Sequence, residues 1–467
     1  MTTTTITTLR LESRFKELKR EIIRPENHEA VQASWGRLLK ALDRKADEIS
    51  RAGSSYIPEV NWGDIENGGF TEEMTSLIHA RGCLIIRDVI DDEQCNQWRE
   101  DTKKYIESHP GITGTPRTGV TSNWFIHWSK AQVEARSHPR MVQLMKAVGK
   151  LYKNNDPDAL LDMDSQVVYA DRLRIRYPGR DSTLPLHLDS SSIERWEDEQ
   201  YRDVYREIFE GRWEDWDPNL IDRRPSANQD LYQGMSSNGS TCSVFRSFQG
   251  WLALSDAKPG EGTIWFLPDL KCVLAYILLR PFFDERGNLD LSSAQFPGAT
   301  PGSGQFMAND RAMFPHLQHD KSVVGIPYVK PGDFVLWHAD LLHEVDEEHK
   351  GDKESSVVYI AHTPLCPYNI ETLKDSRECF ESGAKPRDFR YEYDDGPDES
   401  SYEDRGREEH LLSLEGKQAL GLVPFDVNEE GLTPGQIAVR KMANEAMQGY
   451  WSTSQSAPVM QKTSQVE

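Results

Sequence analysis

The chain has 467 residues, with 54 Lys and Arg against 76 Asp and Glu, a formal net charge of −22. An acid excess of that size repels nucleic acid and anionic membrane, so neither is expected as a partner. Hydrophobic residues make up 37% of the chain, with 12 Trp, 16 Tyr and 16 Phe, enough apolar mass for a sizeable core and against wholesale disorder.

The stretch Met1 to Ile22 has no apolar segment of the kind a secretory signal carries. From Glu12 to Arg51, Glu, Lys, Arg and Leu recur at helical spacing and predict a helix, the body of an N-terminal extension over residues 1–58. A polar turn from Trp62 to Gly69 precedes a second helix over Glu72 to Arg81. Gly82 to Val89 is short, apolar and rich in branched residues, and predicts a strand. Asp91 and Asp92 open a helix to Ser108, with acids in its first turn where the dipole favours them. Another helix is expected from Pro139 to Lys153.

Strand signals dominate beyond that point. Gln166 to Tyr177 alternates, with Leu173, Ile175 and Tyr177 on one face and Arg172, Arg174 and Arg176 on the other. Arginines so arrayed are ordinarily solvated or paired with acids. Ser243 to Ser255 predicts a long strand, joined through the Lys258 to Gly262 turn to Thr263–Leu267 as a hairpin. Gly332 to His338 and Ser355 to Ala361 predict two more. Strands at turn-punctuated spacing behind a helical front predict an α+β domain over residues 59–450, its core a barrel or double-sheet jelly roll.

Two insertions interrupt it. Residues 193–224 are acidic, aromatic and predicted helical; Trp196, Tyr201, Tyr205, Phe209, Trp213 and Trp216 either line a pocket as a lid or pack an apolar face of their own. Residues 281–321 are rich in Gly, Pro and Ser and read as loop. Lys385 to Glu409 reads as a long charged loop with solvated acids, and residues 451–467 as a disordered tail. Six cysteines (Cys83, Cys95, Cys242, Cys272, Cys366, Cys379) stand singly, without a CxxC pair, which speaks against a zinc ribbon or a dense disulfide framework. The apolar run Val273 to Leu279 is far too short for a membrane crossing. A cytoplasmic protein of undetermined oligomeric state is expected.

Chemistry concentrates in two segments. In Leu186-His187-Leu188-Asp189, strand geometry projects residues i and i+2 from one face, so His187 and Asp189 can hold adjacent positions on a metal. In Trp337-His338-Ala339-Asp340-Leu341-Leu342-His343, a strand after the Lys330-Pro-Gly-Asp333 turn can bring in a second imidazole. Two histidines and a carboxylate cap one face of an octahedron and leave three positions open, which suits iron(II), although the ligand types alone also admit zinc. A His-x-Asp pair is weak evidence by itself, since His338 and Asp340 make a second one. The first gains weight from its context: it follows an alternating strand and a turn, in the strand order that a double-stranded β-helix needs.

Three further segments make the likeness specific: His187-Leu-Asp-Ser-Ser-Ser-Ile-Glu-Arg-Trp-Glu-Asp198; Phe248-Gln-Gly-Trp-Leu-Ala-Leu-Ser255 with Pro259-Gly-Glu-Gly-Thr263; and Ala275-Tyr-Ile-Leu-Leu-Arg-Pro-Phe-Phe283. Over about Glu59 to Arg440 the chain resembles the YbiU-like family, a group of unassigned function related to the iron(II)- and 2-oxoglutarate-dependent oxygenases. The Gly332 to His343 stretch is similar to the distal-histidine strand of the phytanoyl-CoA hydroxylase type. The resemblance implies a jelly-roll or cupin-like double-stranded β-helix, with iron(II) on His187, Asp189 and His343, and His338 as a pocket neighbour. It also implies 2-oxoglutarate and O₂ as co-substrates. Such oxygenases usually anchor the far carboxylate of 2-oxoglutarate with an Arg or Lys on the strand after the distal histidine, yet Ser355 to Thr363 has neither. Arg174, Arg176 or Arg246 is then the expected cation, with Gln249 and Tyr359 adding hydrogen bonds.

The expected activity is dioxygenation of a small-molecule substrate by C–H abstraction, giving succinate and CO₂. Two other readings stand beside it: a non-heme iron oxidase or cyclase that does not use 2-oxoglutarate, and a non-catalytic metabolite-binding barrel.

Overall fold

A computed structural model describes residues 11–116, 120–180, 184–229, 231–232, 242–390 and 396–453. The N-terminal helix expected to Arg51 is two helices, Arg14–Ile22 and His28–Ala52, separated by a single turn at Pro25–Asn27. Pro25 has no amide hydrogen to continue the first helix, which is why the periodicity breaks there. The longer helix buries Val31, Trp35, Leu38 and Ile49 and packs on Leu270–Leu279. That second helix contains the apolar run Val273 to Leu279 and is buried on every side. Trp35 stacks on Phe283 with ring centroids 4.3 Å apart.

The helices predicted at Glu72–Arg81 and Asp92–Ser108 form as expected. Thr71 accepts a hydrogen bond from the Met74 amide at the start of the first, and Gly82 at φ 71° ends it. The Pro139 helix stops at Gly149. A helix at Lys130–Ser137, opened by the Ser129–Gln132 capping box, was not anticipated.

The strands form a mixed α+β fold with two main sheets. The larger runs in the order Glu59–Asn61, Cys83–Arg87, Phe334–His338, Phe248–Ala253, Ser355–Tyr359, Leu173–Arg176, Asn123–Trp124, Gly114–Thr115. The smaller runs Phe306–Met307, His187–Leu188, His343–Val345, Ile264–Phe266, Val324–Gly325. The expected hairpin does not form: Phe248–Ala253 lies in the large sheet, while Ile264–Phe266 crosses to the small one and pairs with His343–Val345. The Lys258 to Gly262 turn therefore joins two sheets.

The central strands of the large sheet share their side chains between two cores. Leu173, Ile175, Phe248, Leu252, Leu336 and Val358 pack with Trp98 and Leu144 of the helices. Trp251, Ala253, Val335 and Trp337 pack with Leu188, Ile264 and Phe266 of the small sheet, and Val357 and Tyr359 lean on that second core. Arg174 shares the parity of the second face, so it enters the space between the sheets. Tyr177 lies beyond the strand and is exposed. The turn before the distal histidine is fixed by Gly332 at φ +88°, where an added Cβ would meet the Ile90 carbonyl oxygen at 1.9 Å.

Both insertions are structured. Residues 193–224 form three short helices, Glu194–Glu197, Glu199–Val204 and Arg206–Phe209. The six aromatic side chains from Trp196 to Trp216 are buried in the main core, so packing and not a lid accounts for them. The 281–321 segment, expected as loop, supplies Phe306–Met307, which completes the small sheet beside His187. In the charged 385–409 stretch, residues 391–395 lie outside the described residues. One of its acids is buried where solvation was expected: Glu399 accepts from the Tyr105 hydroxyl at 2.9 Å and the His127 amide at 2.8 Å; Arg405 is buried as well and donates to the Phe380 carbonyl at 2.6 Å. Of the expected tail, residues 451–453 end the helix Pro434–Thr453, and the rest lies outside the described residues. All six cysteines are buried and unpaired. Among the described residues no helix is long and apolar enough to cross a membrane.

Candidate metal centre

His187 and His343 face each other across neighbouring antiparallel strands, with ring centroids 4.2 Å apart. Each imidazole turns its Nδ1 to the carbonyl two residues before it: Pro185 at 2.7 Å for His187 and Leu341 at 2.9 Å for His343. A carbonyl can only accept, so each Nδ1 carries a proton, and in the neutral imidazole each Nε2 keeps its lone pair. Both lone pairs point to one carboxylate. Nε2 of His187 is 3.3 Å from Asp189 Oδ1, and Nε2 of His343 is 3.3 Å from Asp189 Oδ2.

The three ligand atoms lie within 4.8 Å of one another. His187 Nε2 is buried and has no hydrogen-bond partner among the described residues. A buried acceptor without a donor is costly, and a cation resolves it. Two neutral imidazoles and a carboxylate, with tautomers fixed by outer hydrogen bonds, match a divalent transition-metal site. Gln305, on the second insertion, donates to Asp189 Oδ1 at 2.9 Å and orients the carboxylate.

Burial alone would depress His187, but the adjacent Asp189 carboxylate overrides it and the pKa rises above the ordinary imidazole value. Burial opposes charge on Asp189 too, yet His187 and His343 hold its carboxyl well below the usual range. His343 is pushed down by burial and by the neighbouring His187.

Asp189 and His343 open onto a cavity of about 360 Å³ between the sheets. Arg174, Arg246, Gln249 and Tyr359 line the same cavity. Trp251, Trp337, Ile264 and Val357 supply apolar wall. Nε of Arg174, Nε of Arg246 and Nε2 of Gln249 are buried without partners among the described residues. Unsatisfied donors converging on one space are what an oxyanion ligand would satisfy.

His338 is not part of this group. It sits on the other face of its strand, 0% exposed, between Tyr152 and Phe248. Its Nδ1 accepts from the Asp340 amide at 3.0 Å and its Nε2 faces the Pro218 carbonyl. Asp340 accepts from Arg195 at 2.5 Å, from the Tyr205 hydroxyl at 3.2 Å, and from Arg224. Arg195 also donates to the Asp189 carbonyl at 3.0 Å, so this ion cluster ties both arms of the candidate centre together. Neither Gln305 nor the Arg195–Asp340–Arg224 cluster was singled out from sequence. Gln305 has no motif around it, and the ion cluster joins residues more than a hundred positions apart.

The Gig2-like family model matches residues 9–422. The chain belongs to the Gig2-like family. It is 40% identical to the GlcNAc Inducible Gene 2 protein, GIG2, of Candida albicans, whose crystal structure superposes with TM-score 0.86, covering 95% of this chain and 96% of that one. The uncharacterized protein YbiU of Escherichia coli is 30% identical over 423 residues, 86% of this chain and 96% of that protein. A crystal structure of a hypothetical Escherichia coli protein gives TM-score 0.75 at 28% identity, covering 88% and 98%. The resemblance drawn from the sequence therefore holds at the level of the Gig2-like family.

Proposed function

We propose that this Gig2-like protein is an iron(II)- and 2-oxoglutarate-dependent dioxygenase acting on a small molecule, built on a double-stranded β-helix. The observation that carries the reading is the convergence of His187 Nε2, His343 Nε2 and the Asp189 carboxylate beside a cavity lined with unsatisfied donors. The sheet arrangement supports it: the metal pair and the distal histidine lie on adjacent strands of the small sheet, facing the large one.

His187, Asp189 and His343 would hold iron(II), which when bound supplies O₂ activation and C–H abstraction coupled to decarboxylation of 2-oxoglutarate to succinate. The chain's own residues do the rest. Pro185 and Leu341 carbonyls keep both imidazoles in the metal-binding tautomer, and Gln305 keeps Asp189 turned to them. Trp251, Trp337 and Val357 limit water at the reacting face.

Arg174 would anchor the far carboxylate of 2-oxoglutarate. It pairs across the sheet with Val357, so it reaches the cavity from next to the strand that usually carries this cation. That strand's own lack of an Arg or Lys favours a second reading, an iron oxidase that needs no keto acid. Oxygen uptake by the iron-loaded protein with and without 2-oxoglutarate separates the two. Uptake that requires 2-oxoglutarate and yields equimolar succinate supports the dioxygenase; uptake indifferent to it supports the oxidase and removes the role given to Arg174.

A further inference from the structure

We propose that the substrate carries an oxyanion, a carboxylate or a phosphate, and that Arg246 binds it; this rests on the co-substrate reading above and adds the substrate class to it. The argument is a matching of charges in one cavity. Its ionisable lining includes Asp171, Arg172, Arg174, Asp189 and Arg246. Arg172 is answered by Asp171 at 3.3 Å. In the loaded site Asp189 and the chelating end of 2-oxoglutarate answer a divalent ion, and the far carboxylate answers Arg174. Arg246 is left over.

It is a poor place for an unanswered charge. Arg246 is only 8% exposed, and among the described residues no carboxylate lies within ion-pair distance of it. Nη2 donates to Ser190 Oγ at 2.8 Å and the guanidinium lies over the Tyr169 ring at 5.4 Å, while Nε has no partner. A buried guanidinium held by one hydroxyl and a ring face leaves its Nε donor unanswered. Ser190 itself follows the metal carboxylate Asp189 and is kept at φ 73°, a strained conformation for a non-glycine residue and one often found where a ligand is clamped.

The two arginines enter the cavity from opposite ends of one strand of the large sheet. Val357 pairs with Arg174 on one side and Ala253 on the other, so Arg174 lies level with Ala253. Arg246 lies two residues before Phe248, at the other end of the strand Phe248–Ala253. Arg174 is therefore placed for the co-substrate at one end of the cavity, and Arg246, beside Asp189 and Ser190, for a second anion near the metal.

The test is calorimetric titration of the anaerobic protein, loaded with iron(II) and 2-oxoglutarate, with inorganic phosphate and, separately, with propionate. One of the two should bind, and its identity separates phosphate from carboxylate. Arg246→Gln should weaken it about 30-fold or more while leaving 2-oxoglutarate affinity within about threefold, as expected for loss of one buried charge-assisted contact. Arg174→Gln should do the reverse, and Arg246→Lys, which restores the charge, should recover part of the loss. Thermal melts of each variant exclude unfolding as the cause. Failure of both anions to bind the loaded wild type, or equal binding by Arg246→Gln, overturns the proposal. Loss of 2-oxoglutarate affinity in Arg246→Gln, with phosphate and propionate unaffected, also overturns it but leaves the co-substrate reading intact. If 2-oxoglutarate fails to bind the wild type, the co-substrate reading falls, and Arg246-dependent anion binding to the iron protein alone still sustains the anion site.

Discussion

The chain contains the same short pattern twice, His187-Leu-Asp189 and His338-Ala-Asp340, and the fold gives the two copies opposite surroundings. Asp189 meets two imidazoles and an amide at the edge of a cavity. Asp340 meets two guanidiniums and a phenol in a place with no exposure at all. One carboxylate faces two imidazole nitrogens and no Arg or Lys within ion-pair distance among the described residues; the other already has its cations. The pattern is the same, and the neighbours decide whether it is a candidate for chemistry or a structural tie.

That contrast can be broken by substitution. His187→Ala should cost more than about 100-fold in iron(II) affinity, since loss of an outer-shell partner alone typically costs 10–100-fold, while denaturant unfolding of the metal-free protein changes little. Asp340→Ala should show the reverse emphasis. It leaves Arg195 and Arg224 buried without their counter-charge, and the unfolding midpoint should report a loss of about 3–5 kcal/mol. If His187→Ala unfolds the protein, or Asp340→Ala is neutral to stability, the two sites are not the different things described here. A smaller effect sharpens the metal side: Gln305→Ala removes the donor that orients Asp189 and should weaken iron binding about tenfold, measured by competition with a chelator.

Acidity should reach the structural site as a modest effect on stability. Burial lowers His338 and His127 to about 3 and His362 to about 4. The unfolded chain takes up these protons near the ordinary value of 6.5, so the stability from neutral burial is complete above 6.5 and lost as pH falls toward the folded values. Glu399, raised to about 7 by burial, works the other way between its ordinary value and 7, and offsets the three histidines only in part. The thermal midpoint should drop from pH 6.5 to pH 4.5, and His338→Gln should flatten that slope. A slope unchanged in the variant would mean that His338 is protonated in the fold.

The sequence was most legible where the cause is local. Thr71 and Gly82 bound a helix through their own caps, and Asp91 and Asp92 mark the next. The alternation around Leu173 and Arg174 was legible, but which face is inside was not: the helices cover the leucine face and the second sheet covers the arginine face. The hairpin failed for the same reason. A turn such as Lys258 to Gly262 specifies a reversal, and the partners that capture the next strand, His343–Val345 and Val324–Gly325, are many residues away. At the candidate centre, His187, Asp189 and His343 could be named because the pattern and the resemblance both pointed to them. Gln305 could not, since a two-residue strand inside a Gly- and Pro-rich segment leaves no periodic trace.

The central claim is that His187, Asp189 and His343 form one metal site, and anaerobic calorimetric titration with iron(II) tests it most directly. Wild type should bind one ion per chain, and His187→Ala and His343→Ala should each abolish that binding while remaining folded. Undiminished binding in either folded variant would contradict the claim.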